Sequence, residues 1–589
     1  MSSALAVRLR LAGAAFFLGG GACLAADAVY PLDRATILVN APFDFKVEFD
    51  AVYAPAQVSV TIDGEDYRTV LGGEATFVPR EADVDASALL LRKARITKPG
   101  RHVVEAKAGG RTTSVAWDVY DTAAKPRAKN IIFLLGDGMS VAHRTGARIM
   151  SRGMTEGKAN GRLAMDDMPF MAFVGTSSTD SVAVDSANSM SAYMTGHKTA
   201  INAMGVYADR TRDTLDDPRV ETIAEALRRT TRKSIGIVTG SEVEDATPAA
   251  VVAHTRRRSD KAEIVGMLFD AKPDVLLGGG SAYFRPKGAP GSKRKDDKDY
   301  GKLFEDAGYA LVTDKQGLAA ARAANQERLL GLFHSGNMDV TLDRQFLHKG
   351  SVAKFPNQPG LVEMTQVALE RLSRNPDGFF LMVEGNAIDK MSHPLDWERA
   401  LFETIEFDKA VGLALDFART HPDTLVVATA DHTHGVSLIG TVDDEKPGPE
   451  MRDKVGVHVG AGFPNYEDRD GDGYPDRVDV SRRLAMFANN FPDYYETFRP
   501  KLDGPFVPAV ENEKKQAVAN EAYKTVPGAM FREGNLPHGE DAGVHAVDDV
   551  VLQASGPGAE QFRGYMEQSD VYRVLADVFA LGAAGKAAP

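Results

Sequence analysis

Five apolar runs of strand length punctuate the chain from residue 130 onward: NIIFLL (130–135), SIGIVTG (234–240), DVLLGGG (274–280), GFFLMVEG (378–385) and TLVVATAD (424–431). Runs this short and this uniformly apolar are strands buried on both faces. Helical patterns lie between them. In LVEMTQVALERL, for example, Leu361, Met364, Ala368, Leu369 and Leu372 fall on one helical face. The alternation predicts an α/β fold, a central and mostly parallel sheet flanked by helices. Gly278 to Gly280 do not form a P-loop, because no Gly-Lys-Ser/Thr follows them.

The chain upstream has another rhythm. In FDFKVEF, Phe43, Phe45, Val47 and Phe49 alternate with polar residues, as on a strand with one buried face. Val58, Val60 and Ile62 alternate before a turn at Asp63-Gly64, and a second turn falls at Gly109-Gly110. Residues 28–122 are therefore expected to form a β-rich, immunoglobulin-like sandwich module. A polar linker follows, and residues 130–589 form the α/β unit. A total of 589 residues is consistent with more than one domain. Two polar stretches, 284–302 and about 443–540, read as loop-like inserts.

The first 26 residues read as an export signal: Arg8 and Arg10, an apolar stretch from Leu11 to Ala22, then alanines. The single cysteine, Cys23, falls inside it, so the mature chain is expected to fold without a disulfide. The expectation is a periplasmic or secreted protein. A lipid anchor on Cys23 is the weaker alternative, since Gly20 rather than leucine stands three positions earlier. No other segment is long and apolar enough to cross a bilayer. A formal net charge of −13 argues against nucleic acid or an anionic membrane as partner.

Polar residues mark the strand ends. The run at 130 leads to Asp137, the run at 378 ends at Glu384, and the run at 424 ends at Asp431 and His432. Just after Glu384, Asp389 and His393 stand four residues apart, on one face of a helical turn. Ligands of open α/β sheets bind at the carboxyl ends of strands. One such acid is an ordinary turn residue; three on one edge repel unless something neutralises them. Carboxylates with imidazoles are the donor set of zinc and magnesium. In VDSANSMSAYMTGHKT (184–199), Ser186 opens a helical run behind Asp185. The plain reading is a helix cap. Beside a metal it becomes a nucleophile, at a helix end whose dipole favours an anion.

These residues resemble the bacterial-type alkaline phosphatases over roughly 130–445 and 538–582. The nucleophile motif is matched by Asp185-Ser186-Ala187, and the first metal aspartate by Asp137 in Gly-Asp-Gly. EDATPAAVVAHTRRR (244–258) resembles the segment with a magnesium-site aspartate and threonine and then a phosphate-binding arginine, here Asp245, Thr247 and Arg258. VEGNAIDKMSH supplies Glu384, Asp389 and His393, and ADHTHG supplies Asp431 and His432. The last zinc histidine precedes an acidic stretch, a strand and Gly-Pro in the family. HAVDDVVLQASGP fits that pattern from His545, with His538 the alternative.

The resemblance implies a phosphate monoesterase working through a phosphoserine on Ser186. It implies one zinc ion on Asp389, His393 and His545, and a second on Asp137, Asp431 and His432. Magnesium would take Thr247, Glu384 and a shared oxygen of Asp137, with Asp245 behind it near Lys390. Arg258 would grip two phosphate oxygens. It also implies a homodimer. His197, His254 and His434 read as packed or surface histidines. Asn188 and Met190 are larger than the family's usual residues after the nucleophile. Arg256, Arg257 and Arg258 run together, and on a helix most arginines face solvent.

DRDGDGYPDRVD (468–479) carries Asp468, Asp470, Asp472, Asp476 and Asp479 at calcium-loop positions 1, 3, 5, 9 and 12, with Gly473 at position 6. One structural calcium ion is expected there. The rival functions are a phosphodiesterase or sulfatase of the same superfamily, and a non-catalytic exported binding protein.

Overall fold

The computed structural model describes residues 26–446, 450–451 and 455–582. The export signal and Cys23 lie outside the described residues.

A sheet of 10 strands forms the centre. Across it the order is Tyr309–Val312, Arg328–Leu332, Val275–Gly279, Ser234–Glu242, Phe379–Gly385, Asn130–Gly136, Thr424–Thr429, Val550–Ser555, Phe170–Gly175 and Gly564–Glu567. The five apolar runs are the five consecutive strands of its middle. Their neighbours pair in parallel, while Val550–Ser555 runs antiparallel to both of its own neighbours. This is the mostly parallel α/β sheet that the alternation predicts. Its middle strands are fully buried because helices such as Leu361–Leu372 and Trp397–Thr420 pack against them. Register aligns the strand ends: Leu135 sits beside Glu384 on one side and Thr429 on the other. Asp137, Glu384 and Asp431 therefore emerge along one edge.

The polar stretch read as an insert is more ordered than its composition suggests. Val436–Asp443 pairs with Arg482–Ala488, Tyr494–Glu496 with Met530–Arg532, and Ala509–Glu511 with Ala517–Ala519. Its small apolar clusters include Val442, Ala485 and Phe498, and Leu395, Tyr494 and Phe506. Arg399, wholly buried, forks onto Asp343 at 2.7 and 2.9 Å and also donates to the Lys501 carbonyl at 2.7 Å. No helix among the described residues is long and apolar enough to cross a membrane.

Upstream lie two antiparallel-rich sheets. One holds Ala26–Tyr30, Phe43–Phe49, Ala88–Ala94 and Thr76–Val78. The other holds Thr36–Leu38, Arg111–Tyr120, Gly100–Ala108, Val58–Ile62 and Glu65–Asp66. They share a core in which Phe43 and Phe45 set their ring centres 5.7 and 5.9 Å from Trp117. Alternation in FDFKVEF predicts one solvated face. All seven residues are in fact buried. Asp44, Lys46 and Glu48 face residues 209–219 of the α/β unit, and Tyr207 and Val220 complete the module's core. The linker composition concealed this docking.

Candidate metal centre

Ser186 opens the helix Ser186–Thr195, all of whose residues are buried. Asp185 is the N-cap and exchanges hydrogen bonds with Asn188, whose size is used in a capping box. The Ser186 hydroxyl donates to Asp137 Oδ2 at 3.5 Å.

Asp137, Asp431 and His432 bring one ligand atom each within 4.8 Å of one another. The three side chains are at most 2 % exposed. His432 Nε2 lies 3.2 Å from Asp137 Oδ1 and 3.4 Å from Asp431 Oδ2. Neither ring nitrogen of His432 forms a hydrogen bond, nor do Asp137 Oδ1 and Asp431 Oδ2. Buried polar atoms are paired in native structures almost without exception. Three of these orphans, Asp137 Oδ1, Asp431 Oδ2 and His432 Nε2, converge as the donor set of a cation, and divalent zinc or a similar ion fits it. Burial, with Asp137 adding to it, pushes the Asp431 carboxyl well above the usual range. Gly138 makes the approach possible. Its φ is +67°, and a Cβ there would meet His434 at 2.8 Å and the Asp389 backbone at 3.1 Å.

A second group holds Asp389, His393, His434 and His545. Asp389 Oδ1 lies 3.3 Å from His393 Nε2 and 3.4 Å from His545 Nε2. His393 Nδ1 donates to the Gly543 carbonyl at 2.6 Å, and His545 Nδ1 to that of Val184 at 2.7 Å. Each carbonyl takes the Nδ1 proton, so both Nε2 atoms face the cluster, 3.3 Å apart. Burial opposes charge on His393, but Asp389 pushes its imidazole up to about 9. Burial also works against ionised Asp389, yet His393 and Lys390 hold it well below the usual carboxylate range. The His432 and His545 rings stack with centres 3.5 Å apart, so the two groups adjoin.

His434 corrects the sequence reading. It is no bystander: its Nε2 shares a 2.6 Å hydrogen bond with Asp389 Oδ1. Thr433–His434 pairs antiparallel with His545–Ala546, placing His434 opposite His545. The available signal was the spacing itself, since residues i and i+2 of an extended segment share a face. His538 stands apart: it is exposed, with its carbonyl taking the Ala517 N–H. His197 and His254 lie outside both groups, held by the Tyr207 hydroxyl and the Gly205 carbonyl.

Beside these groups, Glu384 accepts from Thr239 and, at 3.1 Å, from Ser241. Neither hydroxyl was anticipated; both come from the strand paired beside Glu384. Burial and the neighbouring Asp137 push Glu384 well above the usual range. Thr247 is buried in the short helix Ala246–Ala249 behind Asp245. Asp245 Oδ2 stands 3.8 Å from Lys390 Nζ, near the lysine expected. Arg258 reaches Asp185 at 3.0 Å and Asp245 at 3.1 Å. Burial opposes charge on Asp245, but Lys390 and Arg258 hold its carboxyl below the ordinary value. Arg256 to Arg258 are not helical: Arg257 is exposed, while Arg256 and Arg258 turn inward.

Three of the five loop aspartates gather. Asp468, Asp470 and Asp476 come within 4.8 Å of one another. Asp472 and Asp479 do not join them. Asp472 accepts the Tyr474 N–H at 2.8 Å, and Asp479 pairs with Arg477 at 2.9 and 3.0 Å. Tyr474 is buried, stacked on Phe402 and hydrogen-bonded to Glu406, which anchors the loop to the helix Trp397–Thr420.

Residues 128–581 match the alkaline phosphatase family. Alkaline phosphatase 4 of Bacillus subtilis is 31% identical over 477 residues, covering 78% of this chain and 90% of that protein. The alkaline phosphatase of Gadus morhua is 35% identical over 495 residues, covering 78% and 94%. Among solved structures, Thermus thermophilus alkaline phosphatase is similar in fold, with a TM-score of 0.56 at 23% identity, covering 78% of this chain and 93% of that one.

Proposed function

This chain belongs to the alkaline phosphatase family, enzymes of metal-dependent phosphoester hydrolysis, and we propose that it hydrolyses phosphate monoesters through a phosphoserine on Ser186. The observation that carries the reading is the pair of adjoining acid–imidazole groups, one wholly buried and one partly, beside the Ser186 hydroxyl. In this reading Asp389, His393 and His545 hold one zinc ion, with His434 bracing Asp389. Asp137, Asp431 and His432 hold the second. Thr247, Glu384 and Asp137 hold magnesium, and Asp245 orients Arg258 and Lys390. Bound divalent ions supply Lewis acidity to the hydroxyl, the attacking water and the phosphate oxygens.

The chain's own residues do the rest. Ser186 Oγ attacks phosphorus while the alcohol leaves, its bond to phosphorus breaking as the new one forms. Water then cleaves the phosphoserine, releasing phosphate and restoring the hydroxyl. The free N–H groups at the start of helix Ser186–Thr195 favour the anion throughout. Arg258, steered by Asp185 and Asp245, takes two phosphate oxygens in a fork. A guanidinium and the nearby Lys390 suit a dianionic terminal phosphate better than a diester or a sulfate ester. Asp468, Asp470 and Asp476 bind calcium as a structural ion in this reading, and the chain works in the periplasm or outside the cell.

Ser186→Ala is expected to lower kcat on a phenyl phosphate monoester by about 10⁴-fold or more in metal-replete enzyme. Unchanged turnover would falsify the reading. Elemental analysis should find zinc, and a phenyl phosphate diester should be the poorer substrate. Titrating chelated protein with calcium should raise the thermal midpoint, and Asp468→Asn should abolish that rise while Asp479→Asn leaves it.

A further inference from the structure

The face of strand Phe43–Phe49 that the sequence suggests is solvated carries Asp44, Lys46 and Glu48, all buried. Lys46 Nζ meets Asp209 Oδ2 at 2.7 Å, Glu81 at 2.7 Å and Glu48 at 3.0 Å. Arg210 meets Glu81 at 2.7 Å and donates to the Phe49 carbonyl at 2.7 Å. Residues 209 and 210 belong to the α/β unit, in the segment that leaves the Ser186 helix. The module therefore grips that segment through charges that have no water to fall back on.

The other side of the same segment is gripped by Arg256. Its guanidinium donates to the carbonyls of Asp209 at 2.6 Å, Thr211 at 2.7 Å and Asp213 at 2.7 Å. Its own N–H donates to the Thr214 carbonyl at 3.0 Å. Two residues later comes Arg258, whose N–H is fixed by the Asn202 carbonyl at 2.9 Å and whose fork meets Asp185 and Asp245. Three carbonyls aimed at one guanidinium fix the backbone on both sides of it, and the side chain two residues on inherits that placement.

We propose that Arg256 is a positioning residue through which the N-terminal β module fixes the phosphate-gripping Arg258. The module lies outside residues 128–581, which match the family. The proposal rests on the reading of Arg258 as the phosphate ligand. A side chain that acts by placing another costs ten- to hundredfold when lost, without touching the substrate.

The test uses the full-length, metal-replete enzyme, with inorganic phosphate as competitive inhibitor of a phenyl phosphate monoester. Arg256→Ala is expected to raise the phosphate inhibition constant about tenfold, with KM rising in parallel and kcat changing less. Arg256→Lys should recover part of the loss, because donors on a single nitrogen cannot span the carbonyls that the two ends of the guanidinium reach. Lys46→Gln should raise the constant in the same direction from the module's side. In an Arg258→Ala background, Arg256→Ala should add nothing further, since it acts through that side chain. An Arg256 effect of equal size in both backgrounds overturns the proposal, as does an unchanged constant in Arg256→Ala. An unchanged constant in Lys46→Gln with a raised one in Arg256→Ala removes the module from it. If Arg258→Ala itself leaves phosphate inhibition intact, the reading of Arg258 fails instead. Should Arg256→Ala not fold, Arg256→Lys carries the same cycle.

Discussion

Two regions of this molecule bury clusters of acids, and they solve the problem in opposite ways. At the junction between the β module and the α/β unit, Glu48, Glu81 and Asp209 are each met by Lys46 or Arg210 at hydrogen-bonding distance. At the sheet edge, Asp137 and Asp431 keep carboxylate oxygens with no hydrogen bond, and His432 keeps both ring nitrogens free. A buried charge without a partner costs several kcal/mol, so neither arrangement survives uncompensated. The junction carries its cations in the sequence, while the edge must take its own from outside. Burial of charge alone does not mark a functional site. What marks it is a set of convergent donors that the chain itself leaves unsatisfied.

The largest effect expected from this contrast is at the edge. Asp431→Asn removes one anionic ligand and leaves His432 in place. Bound zinc measured by elemental analysis should fall, and kcat/KM should drop on the order of 10²–10³-fold. Stability of the chelated protein should hardly fall, since Asp431 is raised by burial and its charge is a burden without the ion. A chelated Asp431→Asn protein that unfolds far more readily than chelated parent would erase the distinction between the regions.

At the junction the same kind of substitution reverses its readout. Lys46→Met removes the cation that Glu48, Glu81 and Asp209 share and leaves only Arg210 beside Glu48 and Glu81. Breaking a buried pair by removing one partner costs about 3–5 kcal/mol. Urea unfolding should show that loss, with zinc content of the folded protein unchanged. A midpoint that does not move would mean the cluster is solvated in a way its burial denies.

These regions were not equally legible in the sequence. Asp137, Glu384 and Asp431 could be read because each ends an apolar run, and the run fixes where its end must lie. Asp389, His393 and His545 needed the motif resemblance as well, since His545 arrives from a distant strand. His434 was missed because a short extended pair with residue 545 rotates it inward, and nothing local in Thr433 signals that partner. Lys46 was hidden more deeply. Its alternation with Phe45 and Val47 is that of any half-exposed strand, and only the docking of residues 209–220, far along the chain, turns it into a core position. Asp472 and Asp479 show the converse. The loop spacing places them with the other three aspartates, but Tyr474 and Arg477 claim those carboxylates locally.

Within the junction one acid is paired only loosely, with no cation at hydrogen-bonding distance of its Oδ2, and it gives the smallest and sharpest test. Asp217 accepts the Asp209 N–H at 2.9 Å with Oδ1, while Oδ2 is buried without a hydrogen bond. Burial, with Asp209 adding to it, pushes its carboxyl up to about 7. The folded state then binds this proton more tightly than the unfolded chain, in which the group titrates near about 3.9. The sign follows: the contribution to stability is complete below that unfolded value and is lost as pH rises through about 7. Asp217→Asn cannot ionise, and its amide carbonyl can still accept the Asp209 N–H. It should therefore flatten the decline in stability between pH 4 and 7 and make the protein about 1–3 kcal/mol more stable at pH 8. Thermal unfolding of chelated parent and variant across that range measures it. A variant less stable than the parent at pH 8 would mean that Asp217 is ionised and paired like its neighbours, with Arg256 Nη1, 3.5 Å from its Oδ1, as the partner. In that case the junction neutralises every acid it buries, and the contrast with the sheet edge becomes complete.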